Sequence, residues 1–299
     1  LLVLNKEEKM KVDINNRTIC IGNNIASFED ILHNLHHYAD DIIFLAGSLI
    51  EGALEENSKG MGNDHSDVDV FIIREHQKFV DTKAVYTREV RKTLFCDNIL
   101  TGLDIEVYDK DYVDSILRGL EYCHLSKDER SRNALLKFIP KGGSFTEINY
   151  FLNRLMYSVC IYNYEKFIWL KNHMNFNRFL DLGKNNLIAS IDNEYPDIVG
   201  NLQAGQLDVA ITCIREMYFS LIKVILSNEG IFVDRNKWIP LKFRNLVKRV
   251  NGYEEVWNEY GKLFYSDIQD RKKCEETITS ALNAAHRALE KLLLGGIEL

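Results

Sequence analysis

The stretch GSLIEGALEENSKGMGNDHSDVDVFII, residues 47–73, decides how the first half of this chain should fold. Its Gly-Ser pair directly follows the apolar run 42–46, and its end is a second apolar run, 71–73. Short apolar runs bounded by turn residues are typical of buried strands. Asp67 and Asp69 open the second strand, and because side chains alternate along a strand, both carboxylates should point to the same face.

The paired acids indicate a metal site. Carboxylates that lie close together repel each other unless a cation sits between them, and hard oxygen ligands suit Mg²⁺. A later run with strand composition, 103–108, places Asp104 and Glu106 on one face as well. Three strands that carry three or four inward carboxylates, together with one Gly-Ser turn, would allow a two-metal centre. One ion would bind nucleotide phosphates, and the other would activate an attacking hydroxyl and align it for in-line displacement.

The Gly-Ser pair suits phosphate, because phosphate oxygens need backbone N–H donors at close approach. Gly47 permits that approach, and Ser48 adds a hydroxyl. With Gly52 completing a G-S-x-x-x-G spacing, then Ser66-Asp67-x-Asp69 and a later h-D-h strand, the chain resembles the nucleotidyltransferase superfamily. This is the polymerase-β-like fold shared by aminoglycoside nucleotidyltransferases and minimal nucleotidyltransferases, and the resemblance covers roughly residues 40–110.

The resemblance implies a small mixed sheet with flanking helices, two Mg²⁺ ions, and transfer of a nucleoside monophosphate from a nucleoside triphosphate to a hydroxyl. The third carboxylate, as metal ligand or general base, stays open between Asp104, which fits h-D-h, and Glu106, which lies deeper in the strand. The implied catalytic residues are Asp67, Asp69, Asp104 and Glu106, the implied metal ligands are Asp67, Asp69 and Asp104, and the implied nucleotide contacts are Gly47, Ser48 and Ser66.

One departure from the family pattern is a longer gap between Ser48 and Asp67. The extra residues, around 55–63, are predicted to form an inserted loop, which would either cover the nucleotide or lie in solvent.

The second half of the chain has helical periodicity almost throughout. Residues 125–144 shift to charge, proline and glycine, which is typical of a linker, and Ser144 with Glu147 forms a capping-box pattern that opens a helical segment to about residue 173. We therefore predict an α+β protein with a nucleotidyltransferase domain over 1–140 and an all-α helical, substrate-binding domain over 141–299.

A basic strip, residues 235–249, contains six basic side chains and no acid in a chain of net charge −7. Two-domain members of the resembled family carry a Lys-Trp element in the helical domain that reaches back to the nucleotide, and Lys237-Trp238 is similar to it. The resemblance assigns Lys237 to the triphosphate. The alternative is a solvated helix face with a packed tryptophan.

Composition excludes several classes of function. The chain has 299 residues, 46% of them hydrophobic and 27% charged, which is ordinary for a globular protein with a sizeable core. Its net charge of −7 argues against broad nucleic-acid binding. We see no apolar run that could span a membrane and no secretory signal, and the six scattered cysteines fit reduced thiols. These features predict a cytoplasmic protein.

The combined prediction is an Mg²⁺-dependent nucleotidyltransferase with ATP, by analogy, as the donor. The acceptor would be a small molecule, such as an antibiotic or a biosynthetic intermediate, and pyrophosphate would leave. Two alternatives stay open: nucleotidylation of a protein or tRNA, as in toxin-like relatives, and a non-catalytic nucleotide-binding or antitoxin-like regulator. The sequence predicts neither the base preference nor the oligomeric state.

Overall fold

The computed structural model describes residues 10–123, 138–266 and 270–294. These residues form two compact units that divide between Phe176 and Asn177. The first unit is mixed α+β with a small mixed sheet, and the second is helical. The predicted α+β class, with a small mixed sheet and a helical C-terminal region, is therefore confirmed. The first part of the predicted linker 125–144 lies outside the described residues.

A small antiparallel sheet opens the first unit, with strands β1 (Met10–Asp13), β2 (Thr18–Ile21) and β3 (Asn24–Ser27). Helix α1 (Phe28–His33) follows directly. It begins there because Ser27 and Asp30 form a capping box, in which the Asp30 N–H donates to Ser27 Oγ at 3.0 Å and the Ser27 N–H donates to Asp30 Oδ2 at 2.9 Å.

A six-stranded sheet with the order β6-β7-β8-β5-β4-β9 is the frame of the first unit. Its strands are β4 (Ile42–Ala46), β5 (Val68–Arg74), β6 (Tyr86–Thr87), β7 (Arg91–Cys96), β8 (Leu103–Asp109) and β9 (Val159–Tyr162). Its helices are α2 (Gly47–Leu54), α3 (His76–Asp81), α4 (Lys110–Tyr122), α5 (Phe145–Met156) and α6 (Tyr164–His173). Strands β5 and β8 are parallel, and the other neighbouring pairs are antiparallel.

The central strands form because their apolar residues are buried on both faces of the sheet. All five residues of β4 are buried, and in β5 Asp69 is the one half-buried position. Val70 and Ile43 belong to the core on one face, while the rings of Phe44 and Phe71 stack 5.4 Å apart on the other. Burial of each such side chain stabilises the fold by about 1.5–3 kcal/mol. The predicted strands at 42–46, 71–73 and 103–108 are all present.

Strand β9 corrects the prediction of helix throughout the segment that Ser144 opens. Helix α5 begins as predicted, with the Glu147 N–H donating to Ser144 Oγ at 3.1 Å, but β9 then pairs with β4 before α6 begins. The VCIY run of β9 has strand propensity, and the edge of β4 gives it backbone partners. The predicted boundary between 1–140 and 141–299 consequently falls inside the first compact unit, which continues to Phe176.

The second unit is built around one helix core. Its helices are α7 (Phe176–Gln203), α8 (Leu207–Asn228), α9 (Ile239–Val247), α10 (Glu254–Tyr265) and α11 (Arg271–Leu294). Helix α8 is central, since Ile214, Leu221 and Ile225 are fully buried among residues of α10 and α11. Within the described ranges, every helix falls short of the length and apolar character that crossing a membrane demands.

Candidate functional site

Asp69 and Asp104 lie side by side on the two parallel strands of the main sheet. They are Cα partners, so both side chains leave the sheet on the same face. Each is half-buried and is the second residue of its strand. The register of β5 and β8 therefore brings two of the predicted carboxylates together at one end of the sheet.

Gly47 contacts the carboxylate of Asp69. It is the first residue of α2 and follows Ala46, which is the Cα partner of Asp69 on β4. Its φ is +85°, and a Cβ at this position would lie 1.7 Å from Asp69 Oδ2. Glycine alone fits both the backbone conformation and the close approach. The half-buried Ser48 follows in the first turn of α2.

The N-terminus of α2 has the character of an anion site. Ala46, the N-cap residue, makes no side-chain hydrogen bond to the first backbone N–H groups of the helix. Such groups carry partial positive charge and commonly bind phosphate. Because Gly47 is part of this turn, the anion site and the carboxylate of Asp69 are immediate neighbours.

The inserted loop packs against α2. Its middle is a 3-10 turn, Glu56–Ser58, and the buried Ser58 hydroxyl donates to Oε1 of the buried Glu51 at 2.7 Å. A Cβ on Gly52 would lie 2.7 Å from the Met61 carbonyl oxygen, so Gly52 lets the loop backbone reach the helix. Of the two alternatives for this loop, a position in solvent does not describe Asn57, Ser58 and Met61, which are buried, whereas Glu56, Lys59, Gly60 and residues 63–65 are exposed.

Ser66 and Asp67 belong to the turn that leads into β5. The Asn63 N–H donates to Ser66 Oγ at 3.0 Å, and the Thr101 hydroxyl donates to the Ser66 carbonyl oxygen at 3.3 Å. Ser66 thus holds the turn in place. Asp67 is exposed, immediately before β5.

Glu106 is engaged in a network of buried and half-buried side chains. Its Oε1 accepts the Tyr150 hydroxyl proton at 3.1 Å, and its Oε2 accepts a hydrogen bond from the Arg91 guanidinium. Both oxygens therefore have partners within the sheet and α5. Of the two carboxylates that the sequence leaves open, Glu106 is therefore engaged with Arg91 and Tyr150.

The same network joins β7, β8 and α5. Arg91 Nε lies 2.9 Å from Glu147 Oε1, and the Tyr108 hydroxyl donates to the same carboxylate oxygen at 3.0 Å. Burial raises the pKa of Tyr108 well above its ordinary value, which keeps the hydroxyl protonated as a donor. Sequence reasoning missed Arg91 and Tyr150, since their pairing with Glu106 depends on strand register and on the placement of α5.

A different set of potential metal ligands lies at the other end of β5 and β8. His76, Asp109 and Asp111 bring one ligand atom each within 4.8 Å of one another. His76 Nδ1 lies 2.7 Å from Asp109 Oδ2, and this pairing raises the pKa of His76 above its usual 6.5. Asp109 Oδ1 accepts the Asp111 N–H at 3.0 Å and caps α4. Both oxygens of Asp109 thus already have partners.

The two acidic groups are far apart on the sheet. Asp109 follows Asp104 by five residues on the same strand, which at about 3.3 Å per residue is roughly 16 Å. A signal for the second group was available: the segments that follow two neighbouring parallel strands meet at one edge of a sheet. The set His76, Asp109 and Asp111 is not the predicted set of Asp67, Asp69 and Asp104.

Lys237 lies in the second unit, on a short 3-10 turn before α9. It is exposed, with Nζ 4.8 Å from the centre of the half-buried Trp238 ring. Not all of the basic strip is solvated: Lys242 is fully buried and donates to the Phe232 carbonyl oxygen at 2.6 Å. The nucleotide role of Lys237 stays a prediction.

No protein-family model and no curated protein matches this sequence. Among solved structures, the chain is similar to the crystal structure of a nucleotidyltransferase-like protein from Exiguobacterium sibiricum 255-15, with 12% sequence identity and a TM-score of 0.44. The match covers 77% of this chain and 64% of that chain, which is less than two thirds of that protein.

Proposed function

We propose that the chain is a divalent-metal-dependent nucleotidyltransferase of the polymerase-β-like kind. One observation carries the proposal: Asp69 and Asp104 are partners on parallel strands, and Gly47 at the start of α2 contacts the Asp69 carboxylate. A carboxylate pair beside a helix N-terminus combines cation ligands with phosphate donors. That combination suits the metal complex of a nucleoside triphosphate.

The residues present fit Mg²⁺ in donor chemistry. Asp67, Asp69 and Asp104 supply hard oxygen ligands, and the second and third of these occupy paired strand positions. When bound, Mg²⁺ would neutralise part of the triphosphate charge and make the α-phosphorus more electrophilic. Two ions, as in the resembled family, are part of the proposal.

Different groups of the chain bind the phosphates of the donor and accept the proton of the attacking hydroxyl. The backbone N–H groups at Gly47 and Ser48 bind the β- and γ-phosphates, and Ser66 holds the turn beside them. Asp104, and not Glu106, accepts the proton of the attacking hydroxyl, because Asp104 is the strand partner of the proposed metal ligand Asp69.

The proposed donor is ATP, and the proposed acceptor is a small molecule with a free hydroxyl. The cytoplasmic placement of the protein rests on its scattered cysteines.

Calorimetric titration of the full chain with Mg²⁺·ATP tests the proposal. The wild type should bind the complex, and Asp69→Asn should weaken binding at least about tenfold, because a charged metal ligand is lost. Glu121→Gln is the matched control, since Glu121 is an exposed acid on α4 of the same unit. Equal binding by the wild type and Asp69→Asn, with ATP or any of the other common nucleoside triphosphates, would rule the site out.

A further inference from the structure

Phe95 is the one exposed phenylalanine among the residues that the structure describes. All fifteen phenylalanines lie in the described residues, and the others are buried or half-buried. Phe95 is 48% exposed and its neighbour Tyr86 is 64% exposed. A phenylalanine has no polar group for water to bind, so the exposed ring forgoes part of the roughly 1.5–3 kcal/mol that burial would contribute. Such a ring gains most when a ligand covers it.

The register places these rings on the face of the sheet that carries the carboxylates. Phe95 on β7 is the Cα partner of Asp104 on β8, and Tyr86 on β6 is the partner of Thr93 on β7. The two rings touch edge to face, with centroids 6.4 Å apart and planes at 87°. Paired residues share a face, so Asp69, Asp104 and the two rings point to the same side.

The order of the strands shows on which side of the carboxylates the two rings lie. Gly47 follows β4, and beyond β4 come β5, β8, β7 and β6 in that order. The helix N-terminus and the aromatic pair thus lie on opposite sides of the two carboxylate strands. Neighbouring strands are about 4.8 Å apart, so the span from β4 to β7 is roughly 14 Å, enough for a phosphate group between two binding partners.

We infer that Phe95 and Tyr86 form the acceptor subsite and stack on a ring of the acceptor, which is a monocyclic polyol such as a sugar or cyclitol. The inference rests on the proposed function. In an in-line displacement the leaving pyrophosphate and the attacking oxygen are on opposite sides of the α-phosphorus. With the pyrophosphate at the N-terminus of α2, the acceptor approaches from the side of β7 and β6.

The transfer step forms one bond to phosphorus, breaks another and moves one proton. An acceptor hydroxyl oxygen forms a bond to the α-phosphorus, the bond between that phosphorus and the α,β-bridging oxygen breaks, and pyrophosphate leaves with the electron pair. The hydroxyl proton passes to Asp104, which is the strand partner of Phe95. A ring stacked on Phe95 would therefore hold its hydroxyl beside the proton acceptor.

The chemistry of the two rings selects the acceptor class. The face of an aromatic ring is electron-rich and attracts the C–H bonds on the face of a sugar or cyclitol ring. An open-chain polyol presents no such flat face and loses more conformational freedom when it binds. Ring shape, rather than the number of hydroxyls, should therefore decide binding.

Saturation-transfer NMR on the full chain with Mg²⁺ and a non-hydrolysable ATP analogue tests this inference. The probes are monocyclic sugars and cyclitols, each compared with an open-chain polyol that has the same number of hydroxyls, such as myo-inositol with sorbitol. The variants are Phe95→Ala, which removes the ring, and Phe95→Trp, which keeps an aromatic face. Tyr122→Ala, an exposed aromatic on α4, is the control.

At least one ring compound should bind better than its open-chain partner, and Phe95→Ala should weaken that binding about tenfold. Phe95→Trp and Tyr122→Ala should retain it, and Mg²⁺·ATP binding should be the same in all four proteins. The inference fails if no ring compound binds, if ring and open-chain probes bind equally, or if Phe95→Ala leaves the binding of the ring compound unchanged. Loss of wild-type Mg²⁺·ATP binding, by contrast, would overturn the proposed function itself.

Discussion

The carboxylate of Asp69 lies so close to Gly47 that even a methyl group on that glycine would meet Asp69 Oδ2 at 1.7 Å. The contact ties the turn after β4 to the acidic strand β5. A larger residue at Gly47 would displace the Asp69 carboxylate. In the proposed donor site, Gly47 belongs to the phosphate-binding turn and Asp69 is a metal ligand.

Gly47→Ala should therefore lower both stability and nucleotide binding. We expect a loss of about 1–3 kcal/mol in the free energy of unfolding, from the positive φ and the displaced carboxylate. Gly22→Ala is the matched control, because Gly22 has φ +60° but nothing within 4 Å of a Cβ. It should cost only about 1 kcal/mol. Urea unfolding and Mg²⁺·ATP titration of both variants measure the difference, and equal effects on binding would contradict the contact's role.

Asp104→Asn and Glu106→Gln should have opposite consequences. Asp104→Asn should lower the transfer rate by about 10²–10⁴-fold with little change in stability, since it removes the proton acceptor. Glu106→Gln should instead lower the free energy of unfolding by about 1–3 kcal/mol, because Arg91 loses a charged partner, while transfer persists.

Pyrophosphate release and urea unfolding, measured on both variants, separate the two roles. If Glu106→Gln abolished transfer in a fully stable protein, the assignment of the third carboxylate would have to be reversed.

Because the inserted loop packs against α2, alanine substitutions at Gly52 and Gly200 should change the stability of the chain in opposite directions. Gly52→Ala would bring a Cβ to 2.7 Å from the Met61 carbonyl oxygen and should destabilise the chain by about 1–3 kcal/mol. Gly200→Ala, in α7 with open space around it, should stabilise it by about 0.5–1 kcal/mol, because alanine favours helix. Thermal unfolding would show the contrast. A Gly52→Ala variant at least as stable as the wild type would mean that the loop does not pack on α2 as described.

The pair of His76 and Asp109 predicts a pH dependence. The hydrogen bond from His76 to Asp109 raises the pKa of the histidine above 6.5 in the folded chain. The resulting stabilisation is fully present below the unfolded pKa near 6.5 and is lost as the pH rises through the raised pKa. Because His76 is more than half exposed, the effect on stability should be small.

NMR titration of the His76 ring measures this directly. The midpoint should lie above 6.5 in the wild type and fall in Asp109→Asn. An unchanged His76 midpoint in Asp109→Asn would contradict the pairing.

The sequence was sufficient for features that depend on local pattern. The apolar runs before Gly47 and after Asp69 are strands, and Ser144 caps a helix as its spacing with Glu147 predicts. These are decided within a few residues by burial and by the first backbone N–H groups of a helix.

Features that depend on distant partners could not be predicted. Strand β9 exists because β4 offers an edge far away in sequence. Asp104 and Glu106 look equivalent in sequence because they share a face, and the distinction comes from Arg91 on β7, in a segment whose mixed charges and β-formers leave its structure ambiguous. The exposure of Phe95 likewise follows from its place near the edge of the sheet.

The most direct test of the metal-dependent donor site is anomalous diffraction from crystals grown with Mn²⁺ and a non-hydrolysable ATP analogue. The proposed site predicts a Mn²⁺ peak within bonding distance of carboxylate oxygens of both Asp69 and Asp104, with the analogue's phosphates at Gly47. A Mn²⁺ ion bound only at His76, Asp109 and Asp111, or no ion between Asp69 and Asp104, would contradict it.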